Sequence, residues 1–529
     1  MNAERRRFRL LAAAAALLTG FVYVRTMHPG AGDGDAAELQ HCSAVLGVCH
    51  PPGYPLLVLT GNLFARLPLG DDVAWRINFM TLFFGVVSVL LVFAIVARMT
   101  RSAPAALLSA GLLAFSSTAW GHALLAEVYT FYVAALLGAL YSALRWVQTN
   151  RAGWLLAAAV LYGICVGNRP SEIFALPAFV ALWAVNRRRV TLRPVHIAAS
   201  AMLAVLPFAI SLGYYWVQAT PANLSVRDNA DRDAAVDGGP LFHELTGGAK
   251  LAAAVRYCLG LRWTGVATMN AASLEQLQWD AGKYLWLISG LGASGDRFPG
   301  DDPGARRKQA EQGRGVNLTP IGALLAVIAP LLSRRMRRYS IPLVLLVMGN
   351  LIFYLWHHPP DNLEFTLPSL AGLAMLAGIA ISPRRRSRET RLRVGARCAF
   401  LVLPAALLAI NWNAVNEATD ENRQRIRAVE SLAALAFPEN ATIATNYPRA
   451  TLFRYIFHVR ANRPDIRVIF FPGFYDGDQR ERLMTALTAR RGPLYLMADE
   501  PMLAPVDRQR MYQLTPAGLG AAGIIEYHR

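Results

Sequence analysis

Two carboxylates three residues apart, Asp35 and Glu38, are followed by His50 and Tyr54 in the run Gly47-Val48-Cys49-His50-Pro51-Pro52-Gly53-Tyr54-Pro55. A carboxylate held beside a substrate hydroxyl can take its proton, which is the work of a general base. On a helix over 36–46 the pair shares one face, because residues i and i+3 are neighbours there. The same Asp-x-x-Glu spacing fits a capping box, with Asp35 at the N-cap and Glu38 at N3. Both readings stand on spacing alone, and they are compatible. The prolines of the His50–Pro55 run restrict the backbone and force a tight turn.

The elements that must position these groups are membrane helices. The chain is 54% hydrophobic and only 17% charged over 529 residues, and its charges clump between apolar runs. That is the pattern of a polytopic membrane protein. The net charge of +18 comes from short arginine clusters, which read as topology signals and anionic-lipid contacts. No nucleic-acid partner is expected, since no nucleic-acid motif accompanies them. Arg5-Arg6-Arg7 precedes an apolar run from Leu10 to Val24 with no clear small-x-small site after it. It is expected to be an uncleaved first transmembrane helix.

Eleven spans are expected, at about 8–26, 77–98, 104–119, 128–146, 153–168, 172–186, 195–217, 318–333, 340–357, 364–382 and 397–415. With the N-terminus inside, the clusters at Arg5–Arg7, Arg98/Arg101, Arg145/Arg151, Arg187–Arg189, Arg334–Arg338 and Arg384–Arg386 all fall on the cytoplasmic side. This holds only if residues 55–68 form a re-entrant or interfacial helix. Four segments follow: a transmembrane module 1–217 with an outside loop 27–76, an extracytoplasmic loop 218–317, transmembrane helices 318–415, and a soluble extracytoplasmic α/β domain 416–529. Within the loop, Leu274 to Leu291 reads as an interfacial helix. In the last segment, Asn422–Phe437 reads as a helix, and Ala441–Thr445, Ile466–Phe471 and Leu494–Met497 as strands.

The outside face then collects further candidates. Glu127-Val128-Tyr129 opens the fourth span, where a carboxylate also suits a helix N-terminus. Asn168-Arg169-Pro170-Ser171-Glu172 joins spans five and six; Arg169 reads as a clamp for an anionic phosphate, with a salt bridge to Glu172 as the plainer alternative. His357-His358-Pro359-Pro360-Asp361 is a second proline-rich loop, and loop solvation is the simpler account of it. Of the five cysteines, Cys165 and Cys398 read as packing. Cys42 and Cys49, with His41 and His50, fit no zinc spacing, so a disulfide or two free thiols is expected and no metal site. No Walker A, GxSxG or HExxH motif occurs, which argues against ATPase, hydrolase and metalloprotease chemistry.

The order Asp35-Ala-Ala-Glu38, then Leu46 to Pro55, then Arg76-Ile77-Asn78, resembles the N-terminal signature of a family of polytopic proteins that includes the animal transmembrane protein 260, a protein O-mannosyltransferase. Ser116 to Trp120, Ala126 to Tyr129, Gly167-Asn168 and Leu367-Pro368-Ser369 are similar to its further segments. The resemblance covers residues 8–180 well. The chain departs from it at Cys49, where proline is expected, and at His122, where a polar amide is expected. The resemblance implies a GT-C glycosyltransferase that takes a hexose, mannose first, from a polyprenyl-phosphate donor on the non-cytoplasmic side. The acceptor is a protein Ser/Thr or glycan hydroxyl, and transfer is by inversion. On that reading Asp35 is the base with Glu38 as alternative or partner, and Arg169 stabilises the phosphate leaving group. His50, Tyr54, Glu127, Tyr129 and Asn168 shape the donor pocket, and no metal or other cofactor is needed. A transporter or flippase of lipid-linked sugars and a non-catalytic scaffold are the competing readings; a transporter would place ionisable groups at mid-membrane. The arginine- and alanine-rich composition suggests a bacterial inner membrane.

Overall fold

The protein is described by a computed structural model. It describes residues 2–229, 240–261, 278, 281–282, 284, 315–332, 336–357, 364–383, 391–433, 437–471, 477–489, 493–497, 511–514 and 524–527. The expected interfacial helix over 274–291, the arginines 334–335 and 384–386, and His358 and Asp361 lie wholly or mostly outside these residues.

Each of the eleven apolar segments is helical. Among the described residues, six helices are long and apolar enough to cross a membrane: Ala3–Thr26, Val73–Thr100, Tyr129–Thr149, Pro194–Gln218, Arg337–Trp356 and Arg393–Arg427. The others are shorter apolar helices, such as Ala103–Ala114 and Ala152–Asn168. Pro55–Ala65 has 11 residues. At about 1.5 Å per residue it is well short of a hydrocarbon core of about 30 Å. The long helices show the apolar outer surface that lipid requires: Met202 is 75% exposed and Leu17 likewise 75%.

The chain divides into two compact units. The first comprises Met1–Met27, Thr81–Ala209 and Gly260–Asn416. The helical path breaks between Ala103–Ala114 and Ser117–Gly121, which frees backbone groups that lipid cannot satisfy. Buried amides answer them. Asn411 donates to the carbonyls of Phe115 and Val316, each at 2.7 Å. Asn317 accepts from Thr118 N–H at 2.9 Å. Close helix approach depends on small residues: a Cβ on Gly163 would lie 2.3 Å from the Ala204 carbonyl oxygen.

The second unit comprises His28–Met80, Ile210–Leu259 and Glu417–Arg529. These are parts of three of the four consecutive segments read from the sequence. The sheet has five strands, β1 (Thr442–Asn446), β2 (Arg467–Phe471), β3 (Leu494–Met497), β4 (Met511–Leu514) and β5 (Ile524–Tyr527). Their order is β2-β1-β3-β5-β4. β1 runs parallel to β2 and β3, and β5 runs antiparallel to β3 and β4. The first three match the expected strands within one residue; β4 and β5 are additional. The sheet core gathers Ile443, Val468, Phe453, Phe457, Phe437 and Tyr495. The expected helix over 422–437 is found at Asp420–Ala433.

Behind the sheet lies a buried charge network. Asp228 is fully buried and accepts from Arg227 Nε at 2.9 Å and from Val468 N–H at 3.0 Å. Arg454 Nε lies 3.8 Å from Oδ2, the oxygen that accepts from Val468, and donates to the Val468 carbonyl at 3.0 Å. His458 Nε2 is 2.9 Å from the Ile466 carbonyl, so it carries the hydrogen, and Nδ1 is left to accept from His41 Nε2 at 3.1 Å. Burial, then His458, Arg454 and Arg227, holds His41 well below the usual imidazole value of 6.5. Burial also lowers His458, against the raising effects of Asp228 and the Ile466 carbonyl. Both rings therefore fold neutral, whereas the unfolded chain takes up protons below about pH 6.5. Stability from this pair is intact above that value and falls as pH drops through it. Urea unfolding at pH 7.5 and 5.0 checks this: the midpoint should fall at pH 5.0, and by less in His41→Gln. An unchanged pH difference in the variant sinks the idea.

Candidate active site

The loop before the site is fixed by a buried amide pair. Gln40 Nε2 donates to Asn78 Oδ1 at 2.8 Å, and Asn78 Nδ2 donates to the Gly30 carbonyl at 2.9 Å. Gly32 N–H donates back to Gln40 Oε1 at 3.1 Å. The chain then enters the helix Gly34–Val45 in a fixed direction. Its N-cap is Asp33, in an extended conformation and without a side-chain cap bond, and Leu46 ends it in the left-handed region. Asp35 therefore sits inside the first turn, and the capping box read from the spacing does not form. The Glu38 oxygens face elsewhere.

Glu38 is the centre of the arrangement, only 7% exposed. Its Oε1 accepts from the His50 N–H at 3.1 Å, and its Oε2 pairs with His50 Nδ1. His50 Nε2 lies 3.3 Å from the Tyr54 hydroxyl. Burial pushes the Glu38 carboxyl up, but the His50 ring and its hydrogen bonds, with Arg454 adding, hold it below the usual carboxylate range. The expected turn is present: Gly53 N–H donates to the His50 carbonyl at 2.7 Å. Gly53 has φ +83°, and a Cβ there would lie 2.8 Å from the Tyr257 ring. Glycine is thus required on conformational and steric grounds.

One member of the cluster was not among the residues singled out in the sequence. Tyr447 donates to Asp35 Oδ1 at 2.8 Å and lies 3.2 Å from Glu38 Oε2. It begins the helix Tyr447–Arg454, where Asn446 Oδ1 caps Arg449 N–H at 3.2 Å and Pro448 stands in the first turn. The Asn-Tyr-Pro run is a helix-start signal directly after a strand, so its place was legible even though its partners were not.

Asp35, Glu38 and His50 offer atoms that all lie within 4.8 Å of one another, a set that could take a metal ion. Their atoms are also bonded among themselves and to Tyr447. Cys42 and Cys49 are free and buried, which realises the free-thiol alternative rather than the disulfide. Burial, then the Cys42 thiol, pushes the Cys49 thiol well up, so neither chemistry nor ligation by thiolate is favoured there. His41 is bonded to His458 and His50 to Glu38, so no Cys/His tetrad forms among the described residues.

The other sequence candidates, Glu127, Tyr129, Asn168 and Arg169, belong to the first unit. Arg169 lies under three rings, with Cζ 4.0 Å from the Phe365 centroid, 5.0 Å from Tyr132 and 5.3 Å from Tyr129. Its Nε donates to Ser171 at 3.1 Å and stands 3.9 Å from Glu172 Oε1. The plainer salt-bridge reading is therefore realised, alongside an aromatic cage. Asn168 is buried, and neither amide atom has a hydrogen-bond partner among the described residues. A buried amide in that state is a cost that calls for an explanation. Glu127 is half-buried, two residues before the helix Tyr129–Thr149. The His122 ring packs edge-on against Tyr129, centroids 4.9 Å apart.

Residues 35–192 match the family model described as the Protein O-mannosyl-transferase TMEM260 N-terminal domain. Two curated relatives are similar. Protein O-mannosyl-transferase TMEM260 of Mus musculus is 38% identical over 109 residues, 21% of this chain and 16% of that protein. The tmem260 protein of Dictyostelium discoideum is 32% identical over 137 residues, 25% of this chain and 17% of its own length. The matched stretch thus spans less than a fifth of either relative. Among solved structures, ArnT from Cupriavidus metallidurans, bound to undecaprenyl phosphate, aligns over 98% of this chain and 97% of its own, with TM-score 0.52 and 13% identity. That likeness is one of fold.

Proposed function

Taking as premise that residues 35–192 match the Protein O-mannosyl-transferase TMEM260 N-terminal domain, we propose that this chain is an integral membrane glycosyltransferase. It moves a hexose, mannose first, from a polyprenyl-phosphate carrier to a hydroxyl of a protein Ser/Thr or a glycan. The observation that carries the reading is Asp35 on the first turn of its helix, exposed and hydrogen-bonded, beside a buried Glu38 tied to His50. An exposed, oriented carboxylate suits a base that must meet an acceptor, while a buried and bonded one suits a support. Asp35 takes the acceptor proton, and inversion follows from direct displacement.

Arg169, in the matched stretch, is the candidate cation for the phosphate leaving group, with Asn168 as an amide donor beside it. His50 and Tyr54, and in the other unit Glu127 and Tyr129, are the candidate donor-binding residues. The reaction takes place on the face opposite the arginine clusters, in a bacterial inner membrane with the N-terminus cytoplasmic and the C-terminal α/β segment extracytoplasmic. A lipid carrier agrees with the undecaprenyl phosphate in the ArnT structure. The reaction is proposed to need no metal, with the Asp35–Glu38–His50 set held by its hydrogen bonds to one another and to Tyr447.

The test is transfer by purified protein in nanodiscs, from radiolabelled polyprenyl-phosphate sugars to Ser/Thr peptides or glycan acceptors. Turnover of at least one donor, unchanged by EDTA, is the expected result. Lipid-sugar translocation without turnover of any donor would move the assignment to a flippase, and loss of turnover in EDTA would restore a metal to the Asp35–Glu38–His50 set.

A further inference from the structure

Tyr447 lies in the C-terminal α/β segment, yet its hydroxyl touches both carboxylates of the N-terminal cluster, at 2.8 Å from Asp35 and 3.2 Å from Glu38. We propose that Tyr447 is a positioning residue for the base: its single hydrogen holds Asp35 while that carboxylate is charged, and turns to Glu38 once Asp35 has taken the acceptor's proton. This rests on Asp35 acting as the base.

A phenol has one hydrogen and two waiting acceptors, so it can serve only one of them at a time. The shorter distance places the hydrogen on Asp35 in the resting state. As the acceptor oxygen forms its bond to the anomeric carbon, its proton passes to Asp35. The carbon–oxygen bond to the carrier breaks, and its electron pair leaves on the lipid phosphate. A protonated Asp35 no longer needs a donor, whereas Glu38 remains a carboxylate and accepts the turned hydroxyl. The phenol loses no proton in this cycle; burial and the two carboxylates hold it well above the usual tyrosine range.

The surroundings leave the hydroxyl this one motion. The Tyr447 ring packs edge-on against Phe470 of β2, centroids 5.3 Å apart. Its backbone is fixed by the Asn446 cap and by Thr451, whose hydroxyl donates to the Tyr447 carbonyl at 3.2 Å. Glu38 is held in turn by His50. Only rotation about the C–O bond is needed to change acceptor.

Tyr447→Phe keeps the ring and removes the hydroxyl. Wild type, Tyr447→Phe, Asp35→Asn and the double variant are compared for kcat and KM on the donor that wild type turns over, with thermal unfolding as the folding control. Tyr447→Phe is expected to lower kcat by about 10-fold with KM changed less than about 2-fold, and to add nothing in the Asp35→Asn background. Wild-type kcat in Tyr447→Phe beside an inactive Asp35→Asn overturns the Tyr447 role alone. An effect on KM only, or one that multiplies in the double variant, also overturns it. Wild-type turnover in Asp35→Asn, or a wild type idle with every donor, overturns the base assignment and this inference together.

Discussion

Asp35→Asn is expected to lower sugar turnover by about 10²–10⁴-fold while leaving the unfolding midpoint close to that of wild type. The amide keeps the shape of the side chain, and its oxygen still accepts from Tyr447, but it takes up no proton at working pH. Asp35 is exposed on the first turn of its helix, so the change leaves no uncompensated buried group. Glu38→Gln is the instructive contrast. Glu38 is buried and answers both the N–H and Nδ1 of His50, so losing its charge should cost folding stability as well as turnover. Steady-state transfer assays with parallel thermal unfolding separate the two. Equal turnover in Asp35→Asn and wild type would remove Asp35 from the chemistry.

The largest effect on stability is expected at Asp228. Asp228→Ala should destabilise the unit by about 3–5 kcal/mol, because it strips the partner from a buried cation. The Arg454 side chain is 4% exposed and would keep the Val468 carbonyl and Asn229 as hydrogen-bond acceptors, but no counter-charge from Asp228. The Val468 N–H would also lose its acceptor. Arg227 would still reach the Pro464 and Ile466 carbonyls and suffers less. Urea unfolding followed by tryptophan fluorescence measures this. A loss under about 1 kcal/mol would show that water reaches Arg454 and that the network is not closed.

The local parts of this protein were legible in its sequence, and the non-local ones were not. Apolar length located the helical segments, because a helix in lipid satisfies its own backbone and needs a run of apolar residues to do so. The His50–Pro55 turn was legible from its prolines and glycine. Asp35 and Glu38 were legible as a pair on one helical face, but their roles were not. Spacing alone left a capping box open; the actual cap at Asp33 and the turning of Glu38 toward His50 depend on where the chain enters the helix. That entry is set by Gln40 and Asn78, 38 positions apart. The partners of Tyr447 were hidden for the same reason, and so were Arg454 and Val468 as partners of Asp228: each lies hundreds of residues away. Arg169 was legible as an unusual cation, while the rings around it come from Tyr129, Tyr132 and the distant Phe365. Strands β4 and β5 escaped because Gln513 and Glu526 interrupt their short apolar runs, whereas the equally short β3 is apolar throughout.

The hydrogen bond between Asp35 and Tyr447 spans 412 positions of chain. At synthesis rates of about 5–20 residues per second, the ribosome needs roughly 20–80 s to travel between them. Through that interval Asp35 is without this partner. A chain cut short before residue 447 lacks this bond, and its sugar turnover is expected to be lower than that of the whole chain.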